Sequence, residues 1–193
     1  MSVDRRGGAL SPDDDARLML AFQKGDRRAF ETLFARYTPR VLTFLTRMVR
    51  DRARAEDLTQ DVFVRIYNAA DRYEARARFS TYVFGIAHNL ALNELARAHR
   101  KHEQSQGDLQ ELVAVDPAPG PEEKLDAERT RLRLERALAL LPERQRAAVL
   151  LRSEQGLDYE EIAGTLDTTV SSVKSLLHRA RESLLASLAE EEA

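Results

Sequence analysis

The chain has 193 residues, with 30 Lys and Arg against 32 Asp and Glu for a net charge of −2, and it contains no cysteine. The length allows one or two domains, and the missing cysteine removes disulfides, thiolate nucleophiles and cysteine-ligated zinc together. The four histidines do not cluster, no stretch approaches the roughly 20 apolar residues of a bilayer span, and the start MSVDRRGGALSPDDD lacks the apolar core of a secretion signal, so a cytoplasmic protein without membrane insertion is expected.

Eight glycines, six prolines and long runs rich in Ala, Leu, Arg and Glu leave little room for β-branched alternation, which predicts an all-α fold. Residues 1–10 are expected to be disordered. Ser11-Pro12-Asp13-Asp14-Asp15 reads as a helix start, with a capping serine, a first-turn proline and acids at the positive end of the dipole. This helix should run to Lys24, where Gly25 stops it and Asp26 caps the next one, which carries Phe30, Leu33, Phe34 and Tyr37 on one side. Pro39 is expected to bend or restart the chain, and the apolar set Val41, Leu42, Phe44, Leu45, Met48 and Val49 continues to Arg50. A fourth segment covers Ala53 to about Ala70. A loop through Tyr73 and Arg78 then leads into a long helix from about Ser80 to Arg100.

These elements make one helical domain, residues 11–100. Residues 101–121, KHEQSQGDLQELVAVDPAPGP, lose the periodicity and end in a Pro/Gly cluster, which predicts a flexible linker. A second helical domain, residues 122–193, begins with a helix from about Glu122 to Leu140 and ends in a solvated acidic tail. Charge follows the same division. Residues 1–100 carry 18 basic against 13 acidic side chains, residues 101–128 carry 2 against 8, and residues 129–193 carry 10 against 11, so the acid sits in the middle.

Three stretches carry the functional signal. In AEDLTQDVFVRIY, residues 55–67, Leu58, Val62 and Ile66 step by four while Asp57, Gln60, Asp61 and Val64 lie on other sectors. That leaves an acidic-polar surface suited to a basic protein partner, although the same acids also simply complement a helix dipole. In residues 72–101, Tyr73, Phe79 and Tyr82 alternate with Arg72, Arg76 and Arg78, and the following helix presents His88, Asn89, Asn93, Arg97 and Arg100. Aromatics among cations suit unstacked bases, because a π-face accepts any base while arginine neutralises its phosphate. Pattern alone leaves open that these aromatics are core and the arginines only solvate.

The third stretch, residues 141–185, spells a helix-turn-helix. Asp158 and Glu161 form a capping box, Ala163 is small enough for a close helix crossing, and Leu166-Asp167-Thr168 is the turn. Asp167 is one of the few residues besides glycine that tolerate a left-handed backbone, and Thr168 or Thr169 can then cap the second helix. Pro142 suits a first helical position and Gly156 a helix stop. In the second helix Val170, Val173, Leu177, Ala180 and Leu184 form one apolar stripe. The opposite face carries Ser171, Ser172, Lys174, Ser175, His178 and Arg179, short hydrogen-bonding groups followed by cations, as base contacts followed by phosphate contacts require.

Together these motifs closely resemble the extracytoplasmic-function sigma factors of bacterial RNA polymerase, from about Asp15 to Leu185. The resemblance implies a non-enzymatic initiation factor without a cofactor, metal or small-molecule substrate, whose first domain is sigma region 2 and whose second is region 4. It implies that Asp57, Gln60, Asp61 and Phe63 dock core polymerase. Tyr73, Arg78, Phe79, Ser80, Thr81, Tyr82, His88, Asn89, Asn93 and Arg97 would melt and read the minus-ten promoter DNA. Thr169, Ser171, Ser172, Lys174, Ser175, His178, Arg179 and Arg181 would read the minus-thirty-five element. An anti-sigma partner is usual in that family, though no residue here identifies one. The chain departs from many relatives in having Tyr82 for a tryptophan, Leu176 for an arginine and Ser171 for a glycine, which bears on strand opening and on upstream-element preference. Two rival readings use less of the chain. A dimeric operator-binding regulator gives the first domain no task, and a helical di-metal enzyme needs paired Glu-x-x-His units that are missing.

Overall fold

The computed structural model describes residues 12–104 and 122–190, and among them finds helices and turns but no strand. In chain order these are α1 (Pro12–Gln23), α2 (Arg27–Val49), α3 (Arg52–Asn68), a 3-10 turn at Ala70–Arg72, α4 (Phe79–Gln104), α5 (Glu122–Leu140), α6 (Glu143–Ser153), α7 (Tyr159–Thr165) and α8 (Val170–Glu190). The all-α expectation is met. The expected disordered start, residues 105–121 of the expected linker and the last three residues lie outside the described ones, while residues 101–104 prolong α4.

Local chemistry places most helix ends. Asp26 caps α2 by accepting from the amides of Arg28 and Ala29 at 3.0 and 3.4 Å. Asp51 caps α3 by accepting from the Arg54 amide at 2.9 Å. Gly25 and Gly156 take φ of 101° and 69°, the left-handed backbone expected where a helix stops. Pro39 does not restart the chain: α2 continues through it as one helix. Pro39 and Ala35 are both exposed, so the carbonyl that loses its amide partner can be hydrated, which keeps the cost low.

In the first half, α1 to α4 pack around Met19, Leu33, Val41, Phe44, Leu58, Val62, Ile66, Val83 and Phe84, all buried. Tyr37 lies among them with Phe79 5.1 Å away edge-on, and its hydroxyl donates to Asp15 at 2.7 Å. Burial, reinforced by that carboxylate, pushes the Tyr37 hydroxyl pKa far up. In the second half, α5 to α8 pack around Leu150, Leu151, Leu157, Ile162, Val173 and Ala180.

The two halves pack directly against each other, α4 on α7 and α2 on α6, and their buried residues form one continuous cluster. Arginine side chains cross the seam. Arg40 donates to the side chain and carbonyl of Gln155 at 3.1 and 2.9 Å, and Arg47 pairs with Glu154. Arg146, buried in α6, donates to the Met48 carbonyl at 2.9 Å and also to the carbonyls of Leu138, Ala139 and Leu141, which close the end of α5. At the α4–α7 crossing a Cβ added to Gly164 would lie 2.9 Å from the Thr81 methyl, so alanine there would force the Thr81 side chain to shift.

Candidate nucleic-acid interface

The helix-turn-helix is built as its local sequence demands. The Asp158 side chain accepts from the Glu161 amide at 2.8 Å, and Glu161 Oε2 accepts from the Asp158 amide at 2.9 Å. Asp167 takes φ of 47°, and the Thr168 amide closes the turn on the Ala163 carbonyl at 2.9 Å. Thr169 caps α8 by accepting from the Ser172 amide at 3.2 Å. Val173 and Ala180 are fully buried, with Val170, Leu177 and Leu184 packed partly against the core. Thr169, Ser171, Lys174, Ser175, His178, Arg179 and Arg181 are exposed and Ser172 is half-buried. Ser175 and Arg179 donate back to carbonyls one turn earlier, at 3.1 and 3.3 Å, exposed bonds that exchange readily with water or DNA. Leu176, at the position where relatives carry arginine, is half-buried against the core, so it joins the apolar stripe.

The loop and α4 are placed differently from expectation. Phe79 and Tyr73 are buried at 1% and 7% exposure. They belong to an aromatic cluster in which Tyr73 lies 6.2 Å from Phe79 and 5.2 Å from Tyr82. His88 is also buried, at 3%, against a cleft of about 470 Å³ lined by Gly85, Asn89, Arg144, Thr165 and Asp167 among others. Burial, then the nearby Arg144 charge, lowers its pKa to about 4. These three expected DNA contacts are therefore core residues in this conformation: the two aromatic rings bury apolar surface there, and the His88 ring is buried with neither nitrogen hydrogen-bonded. Tyr82 and Thr81 are half-buried, and Asn89, Asn93 and Arg97 are exposed. Arg97 is hydrogen-bonded to Glu94 at 3.0 Å, and Glu94 is also held by Arg54 at 2.8 Å. The Arg54 hydrogen bond keeps the Glu94 carboxyl below its ordinary pKa. Arg78 and Ser80 both face α7: Arg78 Nη1 lies 3.1 Å from Glu161 and 3.5 Å from Asp158, and Ser80 Oγ donates to Glu161 at 2.6 Å.

On α3, Asp57, Gln60 and Asp61 are exposed as expected. Phe63 is not: at 4% exposure it sits in the core, with its ring 4.7 Å from Phe34. A helix of this pitch turns position 63 towards α2, so Phe63 backs the acidic face and the exposed apolar side chains beside that face are Val64, Tyr67 and Phe34.

Some positioning groups carry no local signal. Gln23 Nε2 donates to the carbonyls of Ala70, Asp71 and Tyr73 at 2.9, 3.0 and 3.2 Å, which pins the start of the aromatic loop to α1. Arg40, Arg54 and Arg146 act across separations of 40 to 115 residues, which no periodicity encodes.

Among the described residues no helix is long and apolar enough to cross a membrane. Comparison with known proteins agrees with the geometry. Residues 33–101 match the family described as Sigma-70 region 2, and residues 131–184 match Sigma-70, region 4. The chain is similar to the RNA polymerase sigma-H factor of Pseudomonas aeruginosa, 30% identical over 91% of this chain and 94% of that one. It is also similar to the ECF RNA polymerase sigma-E factor of Escherichia coli, 34% identical over 88% and 92%. Among solved structures, CnrH in complex with the cytosolic domain of CnrY shares the fold, with a TM-score of 0.69 at 23% identity over 94% of this chain and 100% of that one. The sigma factor RpoE of Bartonella quintana, in complex with the anti-sigma factor NepR, gives 0.68 at 26% over 83% and 96%. A helix-turn-helix with a free polar face, an acidic helix and full-length likeness to these factors lead to one conclusion: the chain belongs to the extracytoplasmic-function group of sigma-70 RNA polymerase sigma factors.

Proposed function

We propose that the chain acts as an alternative sigma factor through two separate surfaces, joining core RNA polymerase by the Asp57, Gln60 and Asp61 face of α3 and reading promoter DNA with α8 and the loop before α4. The observation that carries this reading is the division of α8. Its apolar stripe is committed to the core while Ser171, Lys174, Ser175 and Arg179 stay exposed, which leaves a complete major-groove face without a structural task. Residues 11–100 then form the region 2 domain, residues 101–121 the linker and residues 122–193 the region 4 domain.

A monomeric helix-turn-helix on a chain of net charge −2 neutralises few phosphates, so by itself it binds DNA weakly. Held with region 2 on one polymerase, its contact becomes intramolecular, and effective concentrations of order mM supply the missing avidity. Strand opening costs a few kcal/mol per unstacked step, and we read Tyr82, the half-buried ring beside Tyr73 and Phe79, as the one that replaces that stacking. The chain performs no catalytic step of its own and works where polymerase does, in the cytoplasm. The solved Bartonella neighbour is bound to the anti-sigma factor NepR, and we read this chain as open to the same control.

Pull-down with core polymerase followed by run-off transcription tests the reading. Asp61→Arg should weaken core binding at least tenfold while thermal stability stays unchanged, since Asp61 is exposed. Unchanged affinity for core polymerase removes the docking assignment.

A further inference from the structure

Tyr82, read above as the ring that receives an unstacked base, stands on two buried rings, Tyr73 at 5.2 Å and Phe79 at 6.0 Å. Both supports are tied back to α1. Phe79 packs edge-on against Tyr37 at 5.1 Å, and the Tyr37 hydroxyl donates to Asp15 of α1 at 2.7 Å. Tyr73 has no such anchor at its tip: its hydroxyl is buried without a hydrogen-bond partner, so the ring is positioned from its backbone end. That backbone is held by Gln23, the last residue of α1, whose side-chain amide donates to the carbonyls of Ala70, Asp71 and Tyr73 at 2.9, 3.0 and 3.2 Å. Two N–H groups thus serve three carbonyls, and they fasten the end of the 3-10 turn from which the loop departs. Residues 74–78 form no helix or strand, so the loop is fixed at its entry by Gln23 and at its exit by α4.

We infer that Gln23 is a positioning residue for promoter opening: through the Tyr73 carbonyl and ring it sets where Tyr82 stands, so that the receiving surface is in place before a base leaves the duplex. This rests on the promoter-binding reading above. Each unstacked step costs a few kcal/mol, and a ring that must first be ordered by the incoming base returns less of that cost than one already held. All the hydrogen-bond acceptors of Gln23 lie in this loop, so its loss acts on opening and leaves core binding and upstream-element binding unchanged.

The test uses the full chain with core polymerase on a promoter that the wild type serves in run-off transcription. Permanganate reactivity of thymines in the minus-ten element, followed in time, gives the opening rate. Run-off yield is then compared between that duplex and the same promoter mismatched across the minus-ten element, where opening is already done. Gln23→Met keeps the reach of the side chain and removes its donors. It should open the duplex about 5-fold more slowly, the effect of about one net hydrogen bond, and stay within about 2-fold of wild type on the mismatched template. Gln23→Lys carries three donors at similar reach and should recover the wild-type ratio between the two templates; its added charge strengthens binding to both and cancels in that ratio. A general loss of folded protein lowers both templates alike and leaves the ratio unmoved. An unmoved ratio in Gln23→Met therefore overturns the inference, as does a lowered ratio that Gln23→Lys does not restore. If the promoter-binding reading itself fails, the wild type opens no promoter, a result distinct from wild type and Gln23→Met opening one equally well.

Discussion

His88 makes the fold sensitive to acid. Its ring is buried, neither nitrogen has a hydrogen-bond partner, and Arg144 of α6 and Asp167 after α7 are the charged groups lining its cleft, with Asn89, Thr165 and Gly85 the uncharged neighbours. Arg144 is itself anchored on the Leu166 carbonyl at 2.9 Å. Burial first, and Arg144 second, lower the pKa from 6.5 to about 4, so the native state holds a neutral imidazole while the unfolded chain protonates it below pH 6.5. The unfolded state therefore binds more protons between these two values, and stability falls as pH drops through that window. At 1.36 kcal/mol per unit, the loss is about 2 kcal/mol at pH 5 and levels off near about 3 kcal/mol below pH 4. Urea denaturation at a series of pH values from 7.5 to 4 measures it. The carboxylates titrate in the same range, so the useful quantity is the difference between wild type and His88→Leu, which should grow by those amounts as pH falls. Parallel stability curves for the two proteins would refute a buried, unpaired His88.

Other expectations follow from the same coordinates. Arg146→Met removes the donor shared by four carbonyls at the α5 end and the seam, and at about 1 kcal/mol or more for each buried group left unpaired should lower unfolding free energy by about 3 kcal/mol in chemical denaturation. Ser175→Ala and Arg179→Ala alter exposed groups only, so stability should stay within about 0.5 kcal/mol. Run-off transcription should fall several-fold on a template with the upstream element and remain unchanged on one without it. Gln23→Leu leaves three loop carbonyls without their donor and should cost about 1–2 kcal/mol, with amide exchange rising first at residues 70–73.

The helix-turn-helix was legible residue by residue because each of its signals is local. A cap three residues from its partner, a left-handed Asp167 and a stripe of period 3.6 all act within two helical turns. The exposed acidic face of α3 was legible for the same reason. Pattern could not say whether an aromatic or a histidine on a mixed-polarity helix faces solvent or a neighbouring element, and Phe63, Tyr73, Phe79 and His88 were therefore placed on surfaces that the packed fold buries. The continuity of α2 through Pro39 turned on the exposure of that side of the helix, which belongs to the packed object as well.

Sequence by itself determined that this chain is all helical, where its caps and turns fall, and which family of motifs it carries, since those depend on neighbours a few residues away. Only the tertiary structure decided that Arg78 and Ser80 face Glu161, that Arg40 and Arg47 reach the loop before α7, and that His88 is dry. These are contacts between residues some 80 to 115 positions apart or burial by a distant helix. They form only after both halves have folded and closed on each other, so no short-range pattern in the chain records them.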